Sequence, residues 1–470
     1  MLSYFPKYYT DKAMYVYIAL LVCVPVIFGY PMEWYFGIFG IVEVVGFFYF
    51  ANQLPKKWVH YSPKTFTKEL FKTALVIRII YVLLSYWFYN LMTDQPFEFG
   101  AADVLFYDNI GKFGHYCISN NIFNFIEKFQ WYADVELSDC GYPIYLAFVY
   151  YIFDDSILAV RLLNSLWSAI TCILIYKLVC RNFGEGVGRL AAILCMLMPN
   201  LIYYCGLHLK ETVMLFLTVL SIERIDKSMK CKNIEWFALI IAVVTMLLLF
   251  MFRTALAAVV LFSFILTIFS SPRKFFPIYH KVAIGLFFIV ILYFTVGNVV
   301  VDEINHAIIK NENAQDKSYE WRTKRKNGNE FAKYAGAAVF APLIFTIPFP
   351  TMVETPTQEE LRMINGGNFV KNITSVFTII ALFTLFFSGK WREHILIISY
   401  TCGYLAVITV SSFAHSERFH LPALPFSLIF AALGISCLQN KHKKWFNYWI
   451  MFIFVANIAW TWFKLKGRGM

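Results

Sequence analysis

The chain has 470 residues, of which 59% are hydrophobic, 19% aromatic and only 15% charged, with a mean hydropathy of +0.59. Soluble domains run at roughly 45 to 50% apolar and 25% charged, so the composition excludes an ordinary soluble protein and sets a bilayer as the solvent. The net charge of +11 does not imply nucleic acid, because the basic residues sit in short clusters between apolar runs and not on one solvated face.

A membrane crossing needs about 20 mostly apolar residues, commonly with Trp or Tyr at its ends. Such runs fall near 13 to 30, 34 to 51, 71 to 92, 156 to 180, 187 to 206, 211 to 225, 234 to 252, 254 to 270, 281 to 300, 369 to 388, 394 to 412, 420 to 437 and 445 to 463. The expected fold is an all-α polytopic membrane protein with about thirteen transmembrane helices. The first run follows Lys7 and Lys12 as a signal peptide would, but no small-residue cleavage site succeeds it and Pro31, Met32 and Glu33 lead into the next run. It reads as a retained anchor.

Every second loop carries the basic residues: Lys56, Lys57, Lys64, Lys68 and Lys72, then Lys177, Arg181 and Arg189, then Arg224, Lys227, Lys230 and Lys232. The alternation continues with Arg273, Lys274 and Lys281, with Lys390 and Arg392, and with Lys441, Lys443 and Lys444. Positive charge marks cytoplasmic loops, so the N-terminus is expected inside and the C-terminus outside. Lys464, Lys466 and Arg468 break the rule on that count. No Gly/Ser linker or repeat period divides the chain. It is organised as 1–70, two N-terminal spans and a basic loop; 71–300, a transmembrane module with a first outer loop at 93–155; 301–368, a further outer loop; and 369–470, the C-terminal spans.

The topology places several ionisable turns on the outer face: Asp103 and Asp108, the turn at 206–212 with His208, Lys210 and Glu211, Arg253, and the turn at 415–420 with His415 and Arg418. In the first outer loop, 103–114 sets Val104, Leu105, Tyr107, Ile110 and Phe113 at helical spacing behind Asp103, which stands where an N-cap would. The apolar stretch 141–153 is too short to cross. Both are expected to be interfacial helices. In the later loop, 331–352 is expected to begin as an interfacial helix. Its end, broken by Pro342, Pro348 and Pro350, then turns back toward the site. Arg322, Lys324, Arg325 and Lys326 form a basic cluster beside it, either a solvated face or an attraction for an anionic lipid or glycan. Ten cysteines are present; a Cys117–Cys140 bridge would close about 22 residues for roughly 3 kcal/mol, and two free thiols are the alternative.

The order "RIIYVLLSYWFY", "GAADVLFYDNIGKFG", "GYPIYLAFVYYIFDDSILAVRLLNSLW" and "MLMPNLIYYCGLHLKET", followed late by "RFHLPALPFSLIFAALGI", resembles GT-C glycosyltransferases related to protein O-mannosyltransferases and lipid A aminoarabinose transferases. Asp103, Tyr107, Gly141, Pro143, Arg161 and Asn164 occupy positions of that pattern. The resemblance spans roughly 70–438 and leaves the first two spans as additions. Two departures stand out: Val104 follows Asp103 where many mannosyltransferases have an Asp-Glu pair, and His208, Lys210 and Glu211 replace a second aspartate.

The resemblance implies inverting transfer of a sugar from a polyprenyl-phosphate donor to a glycan, lipid or protein acceptor, in a bacterial inner membrane and on its extracytoplasmic face. An attacking hydroxyl needs a base, for which Asp103 is the candidate, with Glu211 as a second catalytic carboxylate. The leaving phosphate gains charge, which Lys210, Arg253, Arg418 and His415 are placed to hold. Tyr107, Asp108 and His208 are expected in support. His415 and His420 lack zinc-ligand spacing, so no metal site is expected, although a divalent cation stays open as a cofactor. A polysaccharide polymerase or ligase remains the alternative, with Arg418 and His415 central and no need of Asp103. A transporter is disfavoured, since Glu43, Arg78 and Arg161 are the few intramembrane charges and no paired halves appear. An assembly protein would leave the ionisable turns unexplained.

Overall fold

The computed structural model describes residues 2–30, 33–100, 102–230, 235–270, 341–353, 362–410 and 414–466. The expected span at 281–300, the basic cluster Arg322 to Lys326 and the interfacial helix expected to open 331–352 lie outside them. Among the described residues there is no strand, and the chain is an all-helical polytopic membrane protein.

Helices occupy each of the other expected spans. They are α1 (Lys7–Phe28), α2 (Trp34–Trp58), α3 (Pro63–Thr93), α7 (Ile157–Phe183), α8 (Glu185–Leu197) with α9 (Pro199–Cys205), α10 (Glu211–Lys230), α11 (Trp236–Phe252), α12 (Thr254–Ser270), α13 (Asn365–Phe387), α14 (Ile395–Val410), α15 (Glu417–Ser436) and α16 (Lys441–Lys466). Between α3 and α7 the connecting segment folds into α4 (Ala102–Ser119), α5 (Phe125–Ala133) and α6 (Gly141–Phe153). Among the described residues seven helices are long and apolar enough to cross alone, and the pair α8 and α9, bent by 51°, makes an eighth if counted as one. The exact count of thirteen is therefore not confirmed by the described residues. Both α11 and α12 have 17 residues and α14 has 16, while α10 carries Glu211, Glu223, Arg224, Asp226, Lys227 and Lys230.

Local chemistry sets the ends. Ser62 caps α3, its hydroxyl accepting the Thr65 N–H at 3.2 Å with Pro63 at the first helical position, so Lys64, Lys68 and Lys72 ride on the helix and not in a loop. Ser156 caps α7 in the same way through the Ala159 N–H at 3.3 Å. Pro199 breaks α8 from α9 because it lacks the N–H that would continue the ladder. The fully buried Arg78 answers that break, donating to Met196 O at 3.2 Å and Ser168 Oγ at 2.6 Å. This intramembrane charge holds a kinked backbone together.

The core is central and the periphery faces lipid. In α15, 89% of the apolar stretch is buried and in α13 67%, against 22% in α1 and 28% in α3 and α16. The Pro-rich strap at 346–353 is buried against α13. Asn372 donates to Pro348 O at 2.9 Å, and Asn365 exchanges bonds with the backbone of Thr351 at 2.8 and 3.2 Å. Lys371 donates to Ile347 O, and its charge reaches Glu417 at the start of α15. Irregular backbone at membrane depth is tolerated where protein satisfies it in this way.

The two ends of the bundle differ in chemistry. At one end Arg181 holds Glu223 at 2.7 Å and Asp226 at 2.9 Å, and Arg189 donates to Trp58 O and Tyr61 O at 2.8 and 2.7 Å. His394 meets Asn182 at 3.0 Å, and Tyr8 donates to Asn447 at 2.9 Å. These contacts gather the basic turns. Because α7, α10 and α16 run the length of the bundle, their other termini lie at the opposite end, with Asp103, the 206–211 turn, Arg253, His415 and Lys464.

Candidate active site

The segment between α3 and α7 forms a platform. Helix α4 lies along α6 with little space between them: a Cβ at Gly114 would come within 2.5 Å of Ala147 Cβ, and one at Gly111 within 2.9 Å of Leu146 Cβ. That close approach fixes where the first turn of α4 points. Asp103 lies one residue inside α4, not at its cap.

From the opposite side comes α15. The Arg418 guanidinium donates through Nη1 to Asp103 Oδ2 and through Nε to Glu211 Oε1, joining α4, α10 and α15 at one side chain. The two carboxylates differ in access: the Asp103 side chain is 64% exposed and that of Glu211 is 0% exposed. The charges of Arg418, Arg253 and Lys210 all act on Glu211, whose Oε2 is buried with no hydrogen-bond partner among the described residues. A planar guanidinium suits this bridging of two carboxylates.

The remaining expected residues separate into two groups. Lys210 is buried and donates to Asp139, with its ammonium 5.9 Å from the Tyr107 ring. Burial lowers the Lys210 pKa, against the opposing pull of Asp139. Burial raises that of the Tyr107 hydroxyl, and Asp139 and Glu211 add to the effect. Arg253 lies over the Phe419 ring at 4.6 Å and lines no part of the pocket described below.

Asp108 and His208 form a second, buried layer. Asp108 takes the Tyr150 hydroxyl at 2.5 Å and Lys112 at 2.8 Å, and the same hydroxyl lies 3.2 Å from His208 Nε2. Burial pushes the His208 pKa down to about 3, with the charges of Arg161 and Lys112 acting in the same direction, so the imidazole is neutral at pH 7. These two residues support the platform and the 206–210 turn from behind.

Above Arg418 a polar pocket of about 370 Å³ opens, in the size range of small-molecule sites. Asp103, His415 and Arg418 line it, together with Glu98, Tyr204, Glu417 and Lys464. Tyr204 donates to Glu417 at 3.3 Å. A larger apolar groove of about 1060 Å³ between α13 and α16 lacks carboxylates and faces outward. Sequence reasoning passed over Asp139, Glu98, Glu417 and Lys464. Glu417 adjoins Arg418, and Lys464 had drawn notice only as a charge on the wrong side. Asp139 carried no signal, lying 71 residues from Lys210. Among the described residues no group of three His, Cys, Asp or Glu is placed to hold a metal ion. Cys117 and Cys140 are both buried free thiols, so the bridge weighed above is not formed.

Residues 141–295 match the family model of dolichyl-phosphate-mannose-protein mannosyltransferases, and over that stretch the chain is similar to membrane glycosyltransferases of the GT-C class. The matched stretch begins at α6 and includes His208, Lys210, Glu211 and Arg253, while Asp103, His415 and Arg418 lie outside it. No curated protein and no solved structure matches the chain.

Proposed function

We propose that the Asp103–Arg418 pocket transfers a sugar from a polyprenyl-phosphate donor to a hydroxyl acceptor, with inversion, on the extracytoplasmic face of a bacterial inner membrane. The observation that carries this is one guanidinium holding an exposed and a buried carboxylate at the floor of a polar pocket, beside a segment similar to mannosyltransferases. The acceptor oxygen attacks the anomeric carbon and gives its proton to Asp103. The bond from that carbon to the phosphate oxygen breaks with its electron pair staying on oxygen, so the phosphate gains one negative charge. Arg418, with His415 beside it, faces that charge as it develops.

Access divides the carboxylates by role. Asp103 can meet an acceptor. Glu211 has no exposed atom to offer and acts as a positioning residue, keeping the guanidinium in place from below. Lys210 and Arg253, expected from sequence to hold phosphate, are assigned to the surroundings of Glu211 and Tyr107. A divalent cation is given no role in this scheme. The end holding the basic turns is assigned to the cytoplasm by the charge rule, which puts the pocket outside. A polymerase or ligase would use Arg418 and His415 without Asp103, and the ion pair between Asp103 and Arg418 favours the transferase.

The test is transfer by purified protein from a synthetic polyprenyl-phosphate hexose, with Asp103→Asn in parallel. We expect the variant to lose about 10² to 10⁴ in turnover, the usual contribution of a general base. Near-normal turnover of Asp103→Asn alongside an inactive Arg418→Gln would move the assignment to the polymerase or ligase.

A further inference from the structure

The pocket presents both signs of charge to the substrate assigned to it. Among the described residues it is lined by the carboxylates of Glu98, Asp103 and Glu417 and by the cations Arg418 and Lys464. Arg418 is bonded to Asp103 and Glu211, while Glu98 feels the charge of Arg161 and Glu417 that of Lys371, neither of which lines the pocket. A phosphodiester entering the pocket meets its cations at the wall, so Arg418 and Lys464 there weigh directly on its binding.

Lys464 reaches the pocket from α16, the last helix, which begins at the basic end with Lys441 and finishes beside α15 and the first outer loop. Its ammonium lies 5.0 Å from the Trp460 ring, one turn back, so the aromatic face steers the side chain along the helix. The sequence carries a matching irregularity. Lys464, Lys466 and Arg468 follow the final span on the side where the charge rule calls for few basic residues. A charge kept against a topological bias is accounted for if it serves the pocket it lines.

We propose that Lys464 is a binding residue for the phosphate of the lipid-linked substrate, so that the C-terminal end of α16 forms one wall of the binding site. The proposal rests on the phosphate-donor assignment given above. It adds a contact from outside both the family-matched segment and the turns singled out by sequence. The ammonium is a compact point charge on the pocket wall, and the guanidinium of Arg418 is held at the floor by its two carboxylates.

The experiment uses the full chain in detergent and measures calorimetric binding of farnesyl phosphate, with farnesol as the uncharged control. Lys464→Gln should weaken farnesyl phosphate binding about five- to tenfold and leave farnesol binding unchanged, and Lys464→Arg should stay within about twofold of the unsubstituted protein. Lys466→Gln, which alters an exposed lysine outside the pocket, should change neither. Unchanged farnesyl phosphate binding in Lys464→Gln, with loss in Arg418→Gln, would overturn the role of Lys464 and leave the phosphate site standing. Equal loss of farnesol and farnesyl phosphate in Lys464→Gln would make Lys464 structural and overturn the proposal. No farnesyl phosphate binding by the unsubstituted chain would overturn both the proposal and the phosphate-donor assignment.

Discussion

Asp103 and Glu211 share one cation, and their burial makes them behave differently when neutralised. Glu211 has no exposed surface, so Glu211→Gln leaves a guanidinium that is only 21% exposed with half its compensation gone. We expect a loss of about 3 kcal/mol of stability, seen as a lower midpoint of thermal unfolding in detergent. Asp103→Asn, with its side chain 64% exposed, should unfold at nearly the normal temperature. Equal shifts for the two variants would contradict the division into an accessible base and a buried positioning residue. His208 gives a pH dependence. Its folded pKa of about 3 lies below the ordinary value of 6.5, so the unfolded chain binds the extra proton first as acid is added. Stability from the neutral imidazole is present above about pH 6.5 and drains as the pH falls toward 3. The unfolding midpoint of His208→Gln should therefore fall less between pH 6.5 and 4 than that of the unsubstituted chain; parallel curves would refute it. None of this burial could be read from sequence. Asp103 and Glu211 both appear there as acids beside an apolar run, and Arg418 lies 315 residues from Asp103.

Among the elements, the helices themselves were legible because apolar runs of about 20 residues leave few other folds in a membrane. Their ends were less so. The start of α3 at Pro63 lies well ahead of the apolar run that marked it, because the lysines that follow look like a loop when counted only as charge. The bend at Pro199 was visible as a proline, whereas the buried partner of its carbonyls, Arg78, stands 118 residues from Met196. The α4–α6 platform offers a direct test at this scale. A Cβ at Gly114 would sit 2.5 Å from that of Ala147, a separation that forces the helices apart. Gly114→Val should tilt α4 and withdraw Asp103 from Arg418, abolishing transfer while far-ultraviolet circular dichroism keeps its helical signal. A variant with normal activity would show that the platform does not set the position of Asp103.

For the whole molecule, the decisive feature is a bundle whose two ends carry different chemistry. Basic turns tied to one another mark one end, and mixed charge around a pocket marks the other. The alternation of basic loops was legible from sequence. The identity of the pocket's walls was not, because Glu98, Glu417 and Lys464 come from distant parts of the chain and meet only in three dimensions. With the pocket outside, a cysteine at Gln95 in an otherwise cysteine-free chain should react with an impermeant maleimide on intact cells, and one at Asn440 only after lysis; both positions are exposed. The opposite pattern would place the pocket in the cytoplasm. The most direct test follows the donor itself, by mass spectrometry of lipid-linked sugars extracted from cells. Cells lacking the chain should accumulate an unused polyprenyl-phosphate sugar, the unsubstituted chain should clear it, and Asp103→Asn, though present in the membrane at normal levels, should not. Clearance by Asp103→Asn equal to that of the unsubstituted chain, or no accumulation in its absence, would contradict a lipid-phosphate glycosyltransferase built on Asp103 and Arg418.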